Sequence, residues 1–281
     1  MRPPSPSGTP PEIVFSDHLP QDDYVVWLGH ASLWIGIGGV SVAIDPVLGN
    51  IPMFRRHTPL PFPKEVLKAD LILITHAHYD HFDAPSLIEL LRLNPDVTVV
   101  APQGFWRYLK RLVPRERCFE LEWWESVMVC GLFITLTPAK HWSRRTPFDT
   151  NRALWGGYVI QNHEHCVFHA GDTAYDAHFA EIAEHFAIDE AFLPIGAYRP
   201  EEVMKENHLD PAEAVQAFRD LGAKRLIPIH YGTFRLSDEP LDEPPQILSR
   251  IVESAVEPID VQMLRIGEIY RFNTTSTERS T

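Results

Sequence analysis

The stretch Leu71-Ile-Leu-Ile-Thr-His-Ala-His-Tyr-Asp-His81 decides the fold. Its first four residues are a continuous apolar run, which a strand buried on both faces requires. His76, His78, Asp80 and His81 then fall on the loop at the C-terminal end of that strand. Loops held by a rigid sheet are where sites are built. Three imidazoles and a carboxylate gathered in a core would leave several polar groups in need of partners. A divalent metal satisfies them. Imidazole and carboxylate suit zinc, with iron or manganese also compatible. One ion cannot comfortably take all four side chains from so short a loop, so two ions, each with two of these ligands, is the natural division. A His-rich solvated turn is the alternative, and the preceding strand argues against it.

The completing ligands are expected after other strands. His141 follows Phe133-Ile-Thr-Leu-Thr-Pro-Ala-Lys140, Asp172 follows Cys166-Val-Phe-His-Ala-Gly171, and His230 follows Leu226-Ile-Pro-Ile229. Each is an apolar run followed by one ligand-type residue. Asp172 has two oxygens and so can bridge two metals. Any one of the three alone would be unremarkable, but beside the first motif they complete a set.

Around these points the chain alternates β-rich runs with helical patterns. Strands are expected over 24–28, 32–37, 40–44, 71–74, 127–130, 132–137, 155–161, 165–169, 191–195 and 225–229. Helices are expected over about 84–94, 103–112 and 176–186. Asp210-Pro-Ala-Glu213 gives a further helix its cap, with Pro at the first helical position and Glu at the third, and Gly222 supplies its stop. Two β-rich halves with helices outside predict a four-layer α/β/β/α sandwich. The domain is expected over 21–272, after a Pro-rich disordered lead (1–20) and before a flexible tail (273–281).

With these residues in hand, the chain resembles the metallo-β-lactamase superfamily along nearly its whole length. Trp27-Leu-Gly-His-Ala-Ser32, Leu121-Glu-Trp-Trp-Glu125, His141-Trp-Ser-Arg-Arg-Thr146, Ala170-Gly-Asp-Thr-Ala-Tyr175, Leu193-Pro-Ile-Gly-Ala-Tyr-Arg-Pro200, His208-Leu-Asp-Pro-Ala-Glu-Ala214 and Ile229-His-Tyr-Gly-Thr-Phe234 are similar to the N-acyl-phosphatidylethanolamine phospholipase D family. The resemblance implies that His76, His78 and His141 hold one zinc, that Asp80, His81 and His230 hold another, and that Asp172 bridges them together with a hydroxide. It places Asp45 behind the metals, orienting a ligand. It places His208 near the substrate phosphate, where it or a water protonates the leaving alkoxide, with Asp80 and Asp172 as the other catalytic groups. Tyr198, in the Pro194 segment, and Arg144, after His141, are the candidate substrate contacts. Two features depart from the family: its lipid hydrolases carry a longer N-terminal region, and the segment 48–60 differs.

The resemblance thus implies a zinc-dependent phosphodiesterase acting on a lipid or small-molecule phosphodiester. A lactonase or carboxylic esterase using the same metals is the alternative, and a non-catalytic binding module a more distant one. The chain has 281 residues, 44% of them hydrophobic, and a net charge of −13. That charge argues against a nucleic-acid partner. No apolar stretch reaches the roughly 20 residues that span a bilayer, which leaves peripheral membrane contact open. The three cysteines, Cys118, Cys130 and Cys166, form no C-x-x-C pair and read as reduced core residues of a cytoplasmic chain. Oligomers are compatible with all of this. His163, His165 and His169 read as surface or packing residues, and Trp123-Trp124 as hairpin packing.

Overall fold

Strand β1 (Tyr24–Gly29) sets the layers by alternation. Val25 and Trp27 face the space between two sheets, while Tyr24, Val26 and Leu28 face outward. β2 (Ser32–Ile37), β3 (Val40–Ile44) and β4 (Leu71–Leu73) repeat the pattern, and α1 (Ala84–Leu93), β5 (Thr98–Pro102), α2 (Trp106–Leu109) and β6 (Cys118–Leu121) follow. Leu87 and Leu90 of α1 and Leu109 of α2 cover the outer face of this sheet, packing on Val26, Trp34, Ile72 and Ile74. The second half gives β7 (Ser126–Val129), β8 (Leu132–Thr137), β9 (Gly157–Gln161), β10 (Cys166–His169), α3 (His178–His185), β11 (Glu190–Pro194), α4 (Glu201–Met204), α5 (Pro211–Leu221), β12 (Arg225–Ile229), α6 (Glu243–Ser254) and β13 (Ile269–Arg271). The computed structural model describes residues 8–272.

The first sheet has the order β13-β1-β2-β3-β4-β5-β6 and the second β12-β11-β10-β9-β8-β7. Both are mixed. β1–β3 and β7–β10 are antiparallel meanders, whereas β3–β6 and β10–β12 are parallel. Parallel strands need crossovers. Those crossovers place α1 and α2 outside one sheet and α3 and α5 outside the other, which is the expected four-layer sandwich. Helix α5 starts as its sequence dictates: the Asp210 carboxylate accepts from the amides of Ala212 and Glu213, and Glu213 reaches back to the Asp210 amide.

Several expectations need correction. The helix expected over 103–112 is a single turn, Trp106–Leu109, because Gly104 (φ 89°) lies outside helical space and Pro114 closes the segment. β5, β6, α6 and β13 were not anticipated. Residues 8–20 are no disordered lead: Ile13 bridges Ile266, Val14 N donates to Ile266 O (2.7 Å), and Ser16 N donates to Pro61 O (3.2 Å). Ile13 packs on the core between the sheets and Leu19 on the outer cluster, contacts that the proline content conceals. Residues 1–7 of the expected lead and the expected 273–281 tail lie outside the described residues. Cys118 and Cys166 are buried as expected, but Cys130 is exposed at the β7–β8 turn, where its φ is 53°.

Glu190, at the start of β11, is 5% exposed, and its Oε2 has no hydrogen-bond partner among the described residues. Burial, aided by the Asp189 carboxylate, pushes its pKa up to about 7. The folded chain therefore binds this proton more tightly than the unfolded chain. Stability from the protonated form is full below the unfolded value and is lost as pH rises through about 7. Glu190→Gln is expected to stabilise the fold by about 1–3 kcal/mol at pH 8 and to be near neutral at pH 5. Urea unfolding at the two pH values checks this, and an equal effect at both would refute it.

Candidate metal centre

All seven proposed ligands sit at strand ends on one edge of the sandwich. His76 to His81 follow β4, His141 follows β8, Asp172 follows β10 and His230 follows β12. Three overlapping groups of ligand-type atoms converge there: His76, His78, His141 and Asp172 in the first, His30, Asp80, His81 and His230 in the second, and Asp172, His208 and His230 in the third. The first two bring together the residues that the resemblance assigns to each metal, with His30 in addition in the second.

In the first group, His78 Nδ1 lies 2.9 Å from His76 Nε2 and 3.2 Å from His141 Nε2. Asp172 Oδ2 stands 3.8 Å from both of those Nε2 atoms. In the second group, Asp80 Oδ2 is 3.7 Å from His81 Nε2 and 3.7 Å from His230 Nε2. Asp172 Oδ1 is 3.2 Å and 2.9 Å from the same two nitrogens. Asp172 thus turns one oxygen to each group. Ligand atoms about 2.1 Å from one ion stand about 3.4 Å apart in a tetrahedral site, and these separations bracket that edge.

Whether a metal fits can be judged from the polar atoms themselves. Among the described residues His78 Nε2, His81 Nε2, Asp172 Oδ1 and both ring nitrogens of His230 are buried without a hydrogen-bond partner. Buried polar atoms are rarely left so. Several of them point at a common centre, and nitrogen with carboxylate oxygen is a donor set that zinc accepts. The residues fit a metal.

Their supports are built in. Asp45, fully buried at φ 42°, accepts from Thr75 N (2.8 Å) and Thr75 Oγ1 (2.5 Å), and its Oδ2 lies 2.7 Å from His81 Nδ1. His141 Nδ1 donates to Asn207 O at 2.9 Å, which leaves Nε2 free to face the centre. His30 is the residue that sequence reasoning missed. It was quoted in the Trp27–Ser32 segment without a role. Its Nε2 lies 2.9 Å from Asp80 Oδ2, its amide donates to Thr233 Oγ1 (2.8 Å), and its carbonyl accepts from His230 N (2.9 Å). The signal was available: like the others, it is a histidine directly after a buried strand.

Charge is distributed as a metal site needs. Burial holds the pKa values of His76, His78 and His141 below the usual imidazole range. It also holds His30 down at about 3, with the neighbouring His230 adding to the effect. Burial opposes charge on Asp80 and Asp172 too, but the surrounding histidines outweigh it, and both carboxyls fall well below their ordinary value. For His81 and His230 burial is likewise outweighed, here by Asp172 and Asp80. His81 rises well above its ordinary value and His230 rises to about 9. A metal bound by those two rings would displace their protons.

The remaining candidates divide. His208, between α4 and α5, faces the centre: its Nδ1 is 3.8 Å from Asp172 Oδ2 and has no hydrogen-bond partner among the described residues. It also lines a cavity of about 380 Å³ with Tyr198, Arg199, Lys205, Glu213 and Ile247. Tyr198 Oη donates to Glu243 Oε1 at 2.7 Å from the wall of that cavity. Arg144 is exposed, its guanidinium 4.9 Å over the Trp142 ring, which in turn sits 4.4 Å from the His78 ring. Arg145 turns inward to Phe82 O and stacks on Tyr79 at 3.7 Å. His169 is fully buried, between Ala31 O (3.0 Å) and Gly171 N (3.0 Å), and holds the turn before Asp172. Trp123 donates to Trp155 O and meets its ring edge-on, as hairpin packing requires.

The two-layered sheet core and the strand-end histidine–aspartate cluster define a class, the metallo-β-lactamase-type metal-dependent hydrolases. A family profile described as "Beta-lactamase superfamily domain" matches residues 41–231, and the chain belongs to this superfamily. Within it the chain resembles the N-acyl-phosphatidylethanolamine phospholipase D family. It is 34% identical over 244 residues to the mitochondrial N-acyl-phosphatidylethanolamine-hydrolyzing phospholipase D of Saccharomyces cerevisiae, covering 82% of this chain and 52% of that protein. It is 31% identical over 267 residues to phospholipase D 1 of the same description from Caenorhabditis elegans, covering 88% of this chain and 75% of that one. It therefore spans about half the length of the yeast relative. A metal-dependent hydrolase of Hyperthermus butylicus is 32% identical and is covered over 99% of its length. Among solved structures, Igni18, a metallo hydrolase from Ignicoccus hospitalis, superposes with a TM-score of 0.71 at 27% identity, covering 89% of this chain and 98% of that one.

Proposed function

We propose that this chain is a dinuclear zinc phosphodiesterase of the phospholipase D kind. The observation that carries the reading is Asp172, which offers one oxygen to each of two ligand groups. His76, His78 and His141 would hold one ion, Asp80, His81 and His230 the other, and Asp172 both. When bound, such ions activate a water near neutral pH and stabilise charge on phosphoryl oxygens.

The chain's own residues have distinct tasks. Asp45 fixes the ring of His81, and His30 fixes the carboxylate of Asp80. His208 stands between the centre and the 380 Å³ cavity, where a phosphodiester's phosphate and one substituent would meet. Burial holds its pKa down at about 4, so its ring is uncharged at neutral pH. It then offers one N–H donor to a phosphoryl oxygen rather than a ready proton. Of the two proton donors considered for the leaving alkoxide, this favours a water. Tyr198 forms a wall of the same cavity, and Arg144 stands exposed at the His78 side, where a bidentate contact to phosphate is within its chemistry.

Substrates resembling those of the yeast and nematode relatives follow from this reading, including N-acylated phosphatidylethanolamines presented at a membrane surface. No helix of the described residues is long and apolar enough to cross a membrane. The test is a panel of bis-p-nitrophenyl phosphate, N-acylphosphatidylethanolamine vesicles and simple lactones, with metal content measured on the same preparation. Phosphodiester turnover with two zinc ions per chain is expected at the centre. Turnover of lactones alone would overturn the reading in favour of an esterase.

A further inference from the structure

At the opposite edge of the sandwich a separate set of ligand-type side chains converges. Asp23 immediately precedes β1, whose far end leads to His30. Glu164 and His165 lie in the turn between β9 and β10, and the far end of β10 leads to Asp172. One ligand atom from each of Asp23, Glu164 and His165 lies within 4.8 Å of the others.

The decisive member is His165. It is 6% exposed, and its Nε2 is buried without a hydrogen-bond partner among the described residues. Asp23 Oδ2 stands 3.6 Å from that nitrogen. This is too long for a hydrogen bond. It is close to the edge of about 3.4 Å between two ligands of one tetrahedral ion. The partners are held in place by other contacts. Asp23 Oδ1 accepts from Gly38 N at 2.9 Å, which leaves Oδ2 turned to the ring. The amides of Glu164 and His165 both donate to Asn162 Oδ1, at 2.8 and 2.7 Å. Phe272 packs against the imidazole with ring centroids 5.1 Å apart. Glu164 is 58% exposed and gives the cluster an open side, where His163 Nε2 approaches to 3.4 Å.

We propose that Asp23, Glu164 and His165 form a binding site for one divalent transition metal, independent of the hydrolytic centre. One imidazole and two carboxylates are a ligand set that zinc and its first-row neighbours accept, with water or His163 completing the coordination. An ion there joins the start of β1 in one sheet to the β9–β10 hairpin of the other. Its role is to clamp the two sheets, and it touches no substrate.

The test is the double variant Asp23→Asn/Glu164→Gln of the full chain. Both changes keep side-chain shape and remove anionic oxygens, from Glu164 on the open side and from the partly covered Asp23. Wild type and variant are dialysed to equilibrium against zinc, and zinc per chain is measured by atomic emission. The wild type is expected to hold one zinc more than the variant. Added zinc is expected to raise its Tm further, since a ligand bound only to the folded chain stabilises it. Phosphodiester turnover is expected to be the same in both. Equal zinc content and equal zinc-induced Tm shifts would overturn the proposal and leave an ordinary ion pair.

Discussion

Asp172→Ala is expected to abolish hydrolysis, by at least about a thousandfold, and to cost the chain at least one bound metal. The side chain turns one oxygen to each ligand group, with Oδ2 3.8 Å from His76 and His141 and Oδ1 2.9 and 3.2 Å from His230 and His81. Each ion would lose a ligand at once, and the five histidines would lose the anion that offsets their crowding. The fold should survive, because the residue lies on a loop at a strand end and fills no core. Metal analysis, turnover and a melting curve on the same sample separate the effects. Zinc should raise the Tm of the wild type and do so far less for the variant. Full turnover by Asp172→Ala would show that the two groups do not act as one centre.

His208→Ala is expected to lower kcat/KM on phosphodiesters by about 10²–10³-fold while metal content stays at the wild-type level. The loss corresponds to one donor removed from a developing oxyanion. His208 lies outside the proposed ligand set: its Nδ1 stands 3.8 Å from Asp172 Oδ2, and its ring packs beside those of His141 and His230. Because burial keeps the ring neutral, the pH profile of the wild type should show no step that disappears in the variant between pH 6 and 8. Loss of zinc from His208→Ala would instead make the residue a ligand.

How much of this could be read from the chain depended on how local the information was. His76 to His81 were legible because four ligand-type residues fall within six positions after one apolar run. His141, Asp172 and His230 were legible only by sharing that form. His30 shares it too, yet it is a lone histidine in a tight turn. Nothing near it in sequence reveals that Asp80, fifty residues on, lies within 2.9 Å. Strand β6 escaped because it is four residues at a sheet edge, buried only at its two ends and beside the charged run Arg115-Glu-Arg117. Helix α6 escaped because Pro244 and Pro245 read as a break, although Pro is well placed in a first turn. Phe105, Tyr108, Leu109 and Leu112 do pack on one cluster, but only Tyr108 and Leu109 lie in the helical turn, with Phe105 and Leu112 in the turns on either side.

The ordering of residues 8–20 bears on the far end of the chain. Pro11 packs so tightly on Gly232 that any side chain there would collide with its ring, and Ile13 pairs with Ile266. Gly232 is two residues beyond His230. The proline-rich segment therefore braces the loop that carries a proposed ligand more than two hundred positions away. A protein trimmed to begin at residue 21 would keep every catalytic side chain and lose the buttress behind one of them. What composition marks as a dispensable leader is, mechanically, part of the rigid frame.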